Sequence, residues 1–349
     1  MRDEKFDLRD ISIIPTIVSE INSRSECKTT EDNFLPLMAA PMDTVVCTEN
    51  AQTFINNQIM PCLPRGEYAT GDLKLKAFQS YGLYEIESQL IATSEDTIEN
   101  PFHRYKHVLI DIANGHMQRL VDVVKEIKQR YPDIELMVGN VAHPLTFKNL
   151  ALAGADYVRC SIGTGAGCTT AANVAINYPM GSLIHECRKE KIKGGLWDTK
   201  IVADGGMQGY DDIIKALALG ADYVMIGSLF NKAMESAGFN YWKTWFGMIR
   251  IKNYTLAKNM WERDYSIYKK YRGMSTKAVQ RKWGRTQLVT AEGITKYQKI
   301  EYNISQWKEN FEDYLKSNMS YCGARRLHDF VGYAEWVYIT NNALKRFQK

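Results

Sequence analysis

A repeated cycle of an apolar run, a turn and an amphipathic helix is the feature that most constrains the fold of this chain. Short runs rich in Val and Ile recur up to residue 228, and a Gly- or Asp-bearing turn follows each of them. Near-continuous apolar runs of this length are typical of parallel strands that are covered on both faces. The predicted strands lie in residues 35–44, 59–65, 84–93, 107–113, 134–141, 156–163, 200–206 and 222–228.

Helical patterns fill the gaps between these runs. Residues 117–131 carry four apolar side chains on one helical face, and Pro144 suits the first turn of the next helix. Gly220 suits the end of a helix over residues 211–219. The phrase Gly-Ala-Asp-Tyr-Val begins at 154 and again at 220, as in a β/α repeat. The chain is therefore predicted to be an α/β protein with a (β/α)8 TIM barrel; an open, doubly wound sheet is the alternative.

The segments outside the repeat predict an N-terminal extension and a long excursion after the eighth strand. Residues 1–30 form the extension, and residues 231–304 are basic and rich in Tyr and Trp, without clear strand periodicity. Closing helices are predicted over residues 306–317 and 323–331. An excursion from the carboxyl end of a barrel strand lies over the active site. We therefore expect residues 231–304 to be an active-site flap within a single catalytic domain over residues 1–349.

Composition and charge narrow the class of protein. The net charge of +4 suits an anionic small substrate but does not indicate nucleic-acid binding. The amino terminus is charged where a signal peptide would be apolar, and no apolar segment approaches the roughly 20 residues that span a membrane. The seven cysteines are scattered and include no C-x-x-C pair, which favours reduced thiols in the cytoplasm.

A glycine-rich loop over residues 161–170 holds the strongest candidate for a nucleophile. Three glycines alternate with small residues ahead of Cys168, just after a predicted strand. Small residues allow close backbone approach, and loop N–H groups around a cysteine favour the thiolate. The loop therefore predicts a reactive Cys168, although a tight turn with an incidental cysteine fits the local pattern as well.

Two further strand ends carry glycines that suit a phosphate. Asp204 precedes Gly205 and Gly206, and Gly227 precedes Ser228. Glycines at the ends of the seventh and eighth barrel strands commonly hold phosphate through backbone N–H groups. Asp204 is then expected to accept bonds from ribose hydroxyls; the alternative is ordinary turn glycines with a capping aspartate.

The end of the fourth predicted strand has the sequence Asp111-Ile-Ala-Asn114-Gly115-His116. An acid within an apolar strand is costly unless a partner compensates it, so Asp111 is expected to be paired. His116 is a candidate base, but a single histidine at the start of a helix is more often a cap.

The chain resembles the GMP reductase/IMP dehydrogenase family through several motifs in one order. The similarity covers about residues 6–333 and is weak between about residues 62 and 105. Its motifs are Asn22-Ser-Arg-Ser-Glu26, Ala39-Ala-Pro-Met-Asp-Thr-Val45, Gly139-Asn-Val141, Gly163-Thr-Gly-Ala-Gly-Cys-Thr-Thr170, Val202-Ala-Asp-Gly-Gly206, Gly220-Ala-Asp-Tyr-Val-Met-Ile-Gly-Ser-Leu-Phe230, Tyr271-Arg-Gly-Met274 and Ala291-Glu-Gly293.

The resemblance implies a homotetrameric barrel that binds a purine 5′-monophosphate beside NADPH or NAD. It implies that Cys168 attacks C2 of the purine, while Thr170 and Glu292 help to protonate and expel ammonia. It also implies a larger set of binding residues. These are Asp204, Gly205, Gly206, Gly227, Ser228, Tyr271, Gly273 and Met274 for the nucleotide, Asp111, Asn114 and Gly115 for the cofactor, and the carbonyls of Gly163, Gly165 and Cys168 for K⁺.

Two features favour the reductase branch of the family, in which GMP and NADPH give IMP and ammonia. The chain has no room for the pair of regulatory domains that dehydrogenases usually insert. Only 17 residues separate Met274 from Glu292, and Arg285 is followed by Thr286 instead of the tyrosine that the dehydrogenases use. An IMP dehydrogenase that forms XMP with NAD is the alternative.

Several departures from the family leave the nucleotide open. Thr164-Gly165-Ala166 replaces Pro-Gly-Ser before the cysteine, and Ala171 replaces a basic residue. Residues 63–65 replace a His-bearing turn, and Ile294 stands where the reductases tend to carry Lys. A modified or deoxy purine monophosphate and a catalytically silent nucleotide-binding barrel are therefore further alternatives, and a flavin-dependent barrel is the least favoured.

Overall fold

The computed structural model describes residues 4–92, 100–283, 286–287 and 290–347. The strands are β1 (Ile11–Ile13), β2 (Leu37–Ala39), β3 (Met60–Leu63), β4 (Phe78–Tyr81), β5 (His107–Asp111), β6 (Glu135–Val141), β7 (Tyr157–Cys160), β8 (Lys200–Asp204), β9 (Tyr223–Ile226), β10 (Asn240–Thr244), β11 (Gly247–Ile251), β12 (Ile267–Arg272), β13 (Thr295–Lys299) and β14 (Trp336–Tyr338). The α-helices are α1 (Ala51–Asn56), α2 (Leu73–Lys76), α3 (Leu83–Ala92), α4 (Pro101–Arg104), α5 (Gln118–Arg130), α6 (Pro144–Leu152), α7 (Thr170–Val174), α8 (Met180–Gly194), α9 (Tyr210–Leu219), α10 (Ser228–Asn231), α11 (Tyr254–Glu262), α12 (Lys277–Lys282), α13 (Ile304–Tyr321), α14 (Leu327–Phe330) and α15 (Asn341–Phe347).

Eight parallel strands, β2 to β9, close into a barrel because β9 pairs with β2. Apolar side chains from every barrel strand fill its interior, among them Met38, Phe78 and Met225. A second apolar layer separates the strands from the helices around them. The predicted (β/α)8 barrel is confirmed, and seven of the eight predicted runs contain the observed strand.

The third predicted strand is wrong, because residues 84–92 of that run lie in helix α3 and Thr93 lies outside the described residues. Ile86 and Leu90 are buried four residues apart, which is helical spacing. The true strand, β4, was missed because it contains polar Gln79 and Ser80. Gln79 is buried and satisfied, since it donates to the Glu67 carbonyl at 2.6 Å and accepts from the Ala69 N–H at 3.0 Å.

The repeated Gly-Ala-Asp-Tyr-Val phrase builds the same joint twice. Gly154 and Gly220 end their helices at φ of +102° and +114°, a conformation that favours glycine. Asp156 and Asp222 then each accept a backbone N–H of the preceding strand at 2.7 Å. The predicted helices before and within this region, α5, α6 and α9, are confirmed.

The excursion after β9 is a four-stranded antiparallel sheet in the order β11-β10-β12-β13, which corrects the expectation of a segment poor in strands. Burial alternates along β12, but one of its buried positions is Lys269, which obscured the pattern. Two backbone bonds hold the base of the sheet: Met234 N to Tyr302 O at 2.9 Å and Glu301 N to Lys232 O at 3.0 Å.

The two chain ends meet at the side of the barrel, where β1 of the N-terminal extension pairs antiparallel with β14. Of the predicted closing helices, α13 is confirmed and is longer than expected. The second is wrong over most of its length, because only residues 327–330 of the predicted 323–331 are helical. Among the helices of the described ranges, none combines the length and apolar character needed to cross a membrane.

Candidate active site

The carboxyl ends of the barrel strands surround a cavity of about 600 Å³, and part of its wall comes from the excursion sheet and the segment around Glu292. All the site residues predicted from the sequence except Gly115 line this cavity. They are Asp111, Asn114, Gly163, Gly165, Cys168, Thr170, Asp204, Gly205, Gly206, Gly227, Ser228, Tyr271, Gly273, Met274 and Glu292.

Gly115 lies behind the cavity wall, where the chain passes close to β6. Its N–H donates to the Asn140 carbonyl at 2.8 Å, and a Cβ at this position would come within 2.7 Å of that oxygen. The structure thus gives Gly115 a packing role in the barrel, and its contact with the cofactor stays a prediction.

His116, the candidate base, is also held by the barrel wall. Its Nε2 accepts the Ala142 N–H at 3.0 Å, and its Nδ1 lies 3.0 Å from the Thr146 hydroxyl. Burial lowers its pKa, as does the nearby His143. Both ring nitrogens are therefore engaged, and His116 acts as a bridge between segments.

Three residues from distant parts of the sequence form a continuous hydrogen-bond chain in the cavity. The Cys168 thiol donates to the Thr170 hydroxyl, with Sγ and Oγ1 3.2 Å apart. The Thr170 hydroxyl in turn donates to Glu292 Oε2 at 2.5 Å. These hydrogen bonds connect the Cys168 thiol to the Glu292 carboxylate through one hydroxyl, so a proton can pass between them.

Backbone pairing brings Glu292 to the cysteine loop. The Thr169 N–H donates to the Glu292 carbonyl at 2.8 Å, and the Ile294 N–H donates to the Gly167 carbonyl at 3.0 Å. Gly273 lies against the same loop, where a Cβ would come within 2.5 Å of the Gly167 oxygen. Three chain segments can therefore meet at Cys168 only because glycine leaves room there.

A buried ion triad spans the barrel mouth beside the hydrogen-bond chain of Cys168, Thr170 and Glu292. Arg159 Nη1 lies 2.5 Å from Asp111 Oδ1, and Nη2 lies 2.8 Å from Asp204 Oδ2. Burial alone would lower the pKa of Arg159, but Asp204 and Asp111 outweigh it and raise that pKa above its ordinary value. Asp111 therefore has the partner that its position in an apolar strand required.

Arg159 and Asn140 are members of the site that were not predicted from the sequence. Arg159 lies in a predicted strand and is 6% exposed, which is unusual for an arginine. Asn140 donates to Asp204 Oδ2 at 2.6 Å, and Arg159 donates to the same oxygen. Oδ2 therefore accepts all the hydrogen bonds that the described residues make to the Asp204 carboxylate. The other oxygen, Oδ1, is left to accept a bond from a ligand. An available signal was the isolated charge within the otherwise apolar run at 157–160.

The glycines after β8 and β9 form the opposite wall of the cavity. Gly205 and Gly206 both have φ of +83°, which exposes their backbone in a conformation that favours glycine. Gly227 lies close to Met42 and to the phenol of Tyr271. Burial raises the pKa of Tyr271, and Asp204 and Cys168 raise it further, so its hydroxyl stays protonated as a donor.

The remaining end of the cavity is formed by aromatic and basic side chains that the sequence analysis did not assign to the site. The Arg65 guanidinium lies over the Trp283 ring, 4.3 Å from its centre, and donates to Glu85 at 3.0 Å. Tyr84 lines the same end. The cavity is thus polar at the glycine wall and aromatic at the other end.

Comparison with known proteins identifies the relatives of this chain. Residues 103–348 match the family model described as the IMP dehydrogenase / GMP reductase domain. The chain is 34% identical to inosine-5′-monophosphate dehydrogenase of Chlorobaculum parvum over 68% of its own length but only 46% of that enzyme. It is 28% identical to GMP reductase of Shouchella clausii over 98% of both chains. It is 26% identical to human GMP reductase 2 over 97% of its own length and 95% of the relative.

Proposed function

Because this chain belongs to the IMP dehydrogenase/GMP reductase family and is an oxidoreductase of that type, we propose that it is a GMP reductase. The proposed reaction converts GMP, NADPH and a proton into IMP, ammonia and NADP⁺. Alignment along nearly the whole of both chains supports the reductase, since the dehydrogenase relative is matched over 46% of its length.

The observation that carries the proposal is the hydrogen-bond chain from Cys168 through Thr170 to Glu292. Loss of the 2-amino group of GMP requires a nucleophile at C2 and a group that protonates the departing nitrogen. A thiol connected to a carboxylate through one hydroxyl supplies both, because the proton that leaves the thiol can be returned to the amine.

The mechanism follows from this proton path. Glu292 accepts the Cys168 proton through Thr170, and the thiolate forms a bond to C2 of the purine. The same path then returns the proton to the amino group, which leaves as ammonia. NADPH, held with its nicotinamide at Asp111 and Asn114, would supply a hydride to C2, and breakage of the carbon–sulfur bond would then release IMP and regenerate the Cys168 thiolate. Cys168 thus splits one difficult substitution into two steps.

The glycine wall is proposed to hold the nucleotide. Asp204 uses its available Oδ1 for the ribose hydroxyls, while Arg159 and Asn140 fix the carboxylate from the other side. Backbone N–H groups are natural phosphate ligands. The proposed phosphate and base contacts are Gly205, Gly206, Gly227, Ser228, Tyr271, Gly273 and Met274.

The aromatic end of the cavity is proposed to receive the cofactor, with Asp111 and Asn114 at its nicotinamide. The sheet over residues 231–304 then acts as the flap that closes this end. Backbone carbonyls of Gly163, Gly165 and Cys168 are oxygen donors of the kind that hard cations take, so they fit K⁺. We also propose the homotetramer of the family as the working assembly.

The test is to mix the purified protein with GMP and NADPH, follow oxidation of the cofactor and identify the nucleotide product. Cys168→Ala is compared with Cys322→Ala, which removes another partly buried thiol far from the cavity. We expect IMP to form with the wild type and the control but not with Cys168→Ala.

Other outcomes assign the other candidates. XMP formed from IMP and NAD, without oxidation of NADPH by GMP, would identify a dehydrogenase. Turnover of a deoxy or modified purine monophosphate alone would change the substrate. Nucleotide binding without turnover by either cofactor would identify a silent barrel, and turnover that survives Cys168→Ala would refute covalent catalysis.

A further inference from the structure

A second cavity of about 560 Å³ opens at the opposite end of the barrel from the candidate active site. It lies where β8 and β9 begin, whereas the active-site cavity lies where the same strands end. Helix α8 and the segment that contains α14 form its sides. Asp222 and Tyr223 of the Gly220–Phe230 motif line it, but the binding residues that the resemblance implies in this motif, Gly227 and Ser228, lie at the other end of the strand.

The cavity contains a buried arginine with no acidic partner. Arg188 is 8% exposed, and among the described residues it makes neither a hydrogen bond nor an ion pair. Its Nε is fully buried without a partner. A buried N–H without an acceptor is costly, so a ligand in the cavity that supplies an acceptor to this guanidinium would be bound favourably.

The surrounding chain is shaped to admit this side chain. A Cβ at Gly220 would come within 2.7 Å of the Arg188 stem, and one at Gly332 would come within 2.8 Å of Nε. The guanidinium lies 5.4 Å from the Trp197 ring and 5.3 Å from the Tyr333 ring. Glycines and aromatic rings therefore hold the guanidinium in place without using its hydrogen-bond donors.

Equal numbers of cations and acids line this cavity, namely Arg188, Lys191 and Lys200 against Glu31, Asp222 and Asp329. Lys191 is buried and bonds both oxygens of Asp222, at 3.0 and 2.8 Å. Burial lowers the pKa of Lys191, and nearby Lys200 and Arg188 lower it further, against the opposing effect of Asp222. Of the three acids, Asp222 is thus already engaged by Lys191.

The other two acids form no ion pair with Arg188 or Lys200 within the described residues. Asp329 pairs with Arg326 at 3.2 Å and lies 3.0 Å from His328. Glu31 is exposed at the edge of the cavity and has no ion pair within the described part of the chain. Arg188 and Lys200 are therefore left without a carboxylate of their own.

We propose that this second cavity binds a phosphorylated small molecule, with its phosphate between Arg188 and Lys200. A guanidinium and an ammonium together match the charge and the oxygen acceptors of a phosphate. Ligand cavities usually measure about 300–1,000 Å³, so this one is large enough for a phosphate with an organic group attached. The half-exposed ring of Trp197 offers that group a flat apolar surface. The site is independent of the proposed reductase activity.

The experiment uses two tryptophans as separate reporters in the full-length chain. Trp197 lines the second cavity and Trp283 lines the active-site cavity. The protein is labelled with 5-fluorotryptophan, and the two ¹⁹F resonances are assigned from the Trp197→Phe and Trp283→Phe spectra. Inorganic phosphate and ribose 5-phosphate are then titrated in turn, so occupancy of the two cavities is measured separately.

We expect ribose 5-phosphate to shift the Trp197 resonance saturably and to bind at least as tightly as inorganic phosphate. Arg188→Met and Lys200→Gln should each weaken this binding by about tenfold or more, the usual effect of losing a hydrogen bond to a charged group. Lys193→Gln is the matched control, because Lys193 lies exposed on helix α8, which also carries Arg188, but outside the cavity. If Arg188→Met does not fold, Lys200→Gln carries the test.

Three results would overturn the proposal. One is a Trp197 resonance that neither probe moves, and another is equal weakening by Lys200→Gln and Lys193→Gln. The third is binding of inorganic phosphate but not of ribose 5-phosphate, which would indicate an inorganic anion site. None of these results depends on turnover of GMP, so failure here and failure of the reductase proposal are distinguishable.

Discussion

Replacing Arg159 with Met should destabilise the protein strongly, because it breaks a buried ion triad while keeping most of the side-chain volume. The arginine makes three contacts, at 2.5 Å to Asp111 and at 2.8 and 3.2 Å to Asp204. Its side chain is 7% exposed, and those of Asp111 and Asp204 are 14% and 12% exposed. Arg159→Met therefore leaves two nearly buried carboxylates without a cation. Removal of one partner from such a group costs about 3–5 kcal/mol in the free energy of unfolding.

The assay is equilibrium unfolding in urea, followed by circular dichroism, with Arg24→Met as the matched control. Arg24 pairs with Asp313 at 3.2 Å, but both side chains are more than half exposed. An exposed pair of this kind contributes about 0–1 kcal/mol, so the control should be nearly neutral.

A triple variant separates loss of the arginine from burial of the acids. Arg159→Met combined with Asp111→Asn and Asp204→Asn removes every charge of the triad, and it should recover most of the lost stability. If Arg159→Met costs no more than Arg24→Met, the triad is not the stabilising contact that its burial implies. If the triple variant is no more stable than Arg159→Met alone, uncompensated carboxylates are not the cause.

Three further outcomes test other parts of the structure. Thr170→Val should lower turnover of GMP by about 10²–10⁴-fold, as expected for loss of a proton-transfer group. Thr169→Val should leave this turnover unchanged, because the Thr169 hydroxyl makes no hydrogen bond with the described residues. Equal losses of turnover in the two variants would contradict the proton path. Gly227→Ala places a Cβ 2.9 Å from Met42 Sδ and 3.4 Å from the Tyr271 hydroxyl. Overpacking of this kind costs about 1–3 kcal/mol, so the KM for GMP should rise about tenfold. An unchanged KM would exclude Gly227 from the nucleotide wall. The pKa of Glu135 is lowered from 4.5 to about 2, mainly by its hydrogen bond with His107. Its contribution to stability should therefore be complete above pH 4.5 and lost as the pH falls towards 2. Glu135→Gln should flatten the dependence of Tm on pH in this range, and an unchanged slope would refute this assignment.

The barrel could be predicted from the sequence because its strands are apolar and its repeat is regular. Where prediction failed, a polar side chain had its partner elsewhere in the chain. Gln79 in β4 and Lys269 in β12 are both buried, but each is satisfied by carbonyl groups that no local pattern reveals. A single sequence window cannot distinguish such residues from solvent-exposed ones.

The candidate site likewise contains residues that could be predicted from the sequence and residues that could not. The cysteine loop and the glycine pairs follow the ends of strands, so their positions at the mouth followed from the fold. Arg159 was missed because its two carboxylate partners lie 48 and 45 residues away along the chain. Glu292 was assigned only through the resemblance, since 122 residues separate it from Thr170.

The way in which the excursion is anchored separates its length from the position of Glu292. Backbone bonds fix its base between residues 232–234 and 301–302, and others fix its far end between residues 167–169 and 292–294. The acid is thus positioned relative to the nucleophile by local pairing and not by the number of residues between them. We therefore expect insertions in the turn between β10 and β11 to leave Cys168 and Glu292 in place, so this turn can lengthen without changing how the two residues pair.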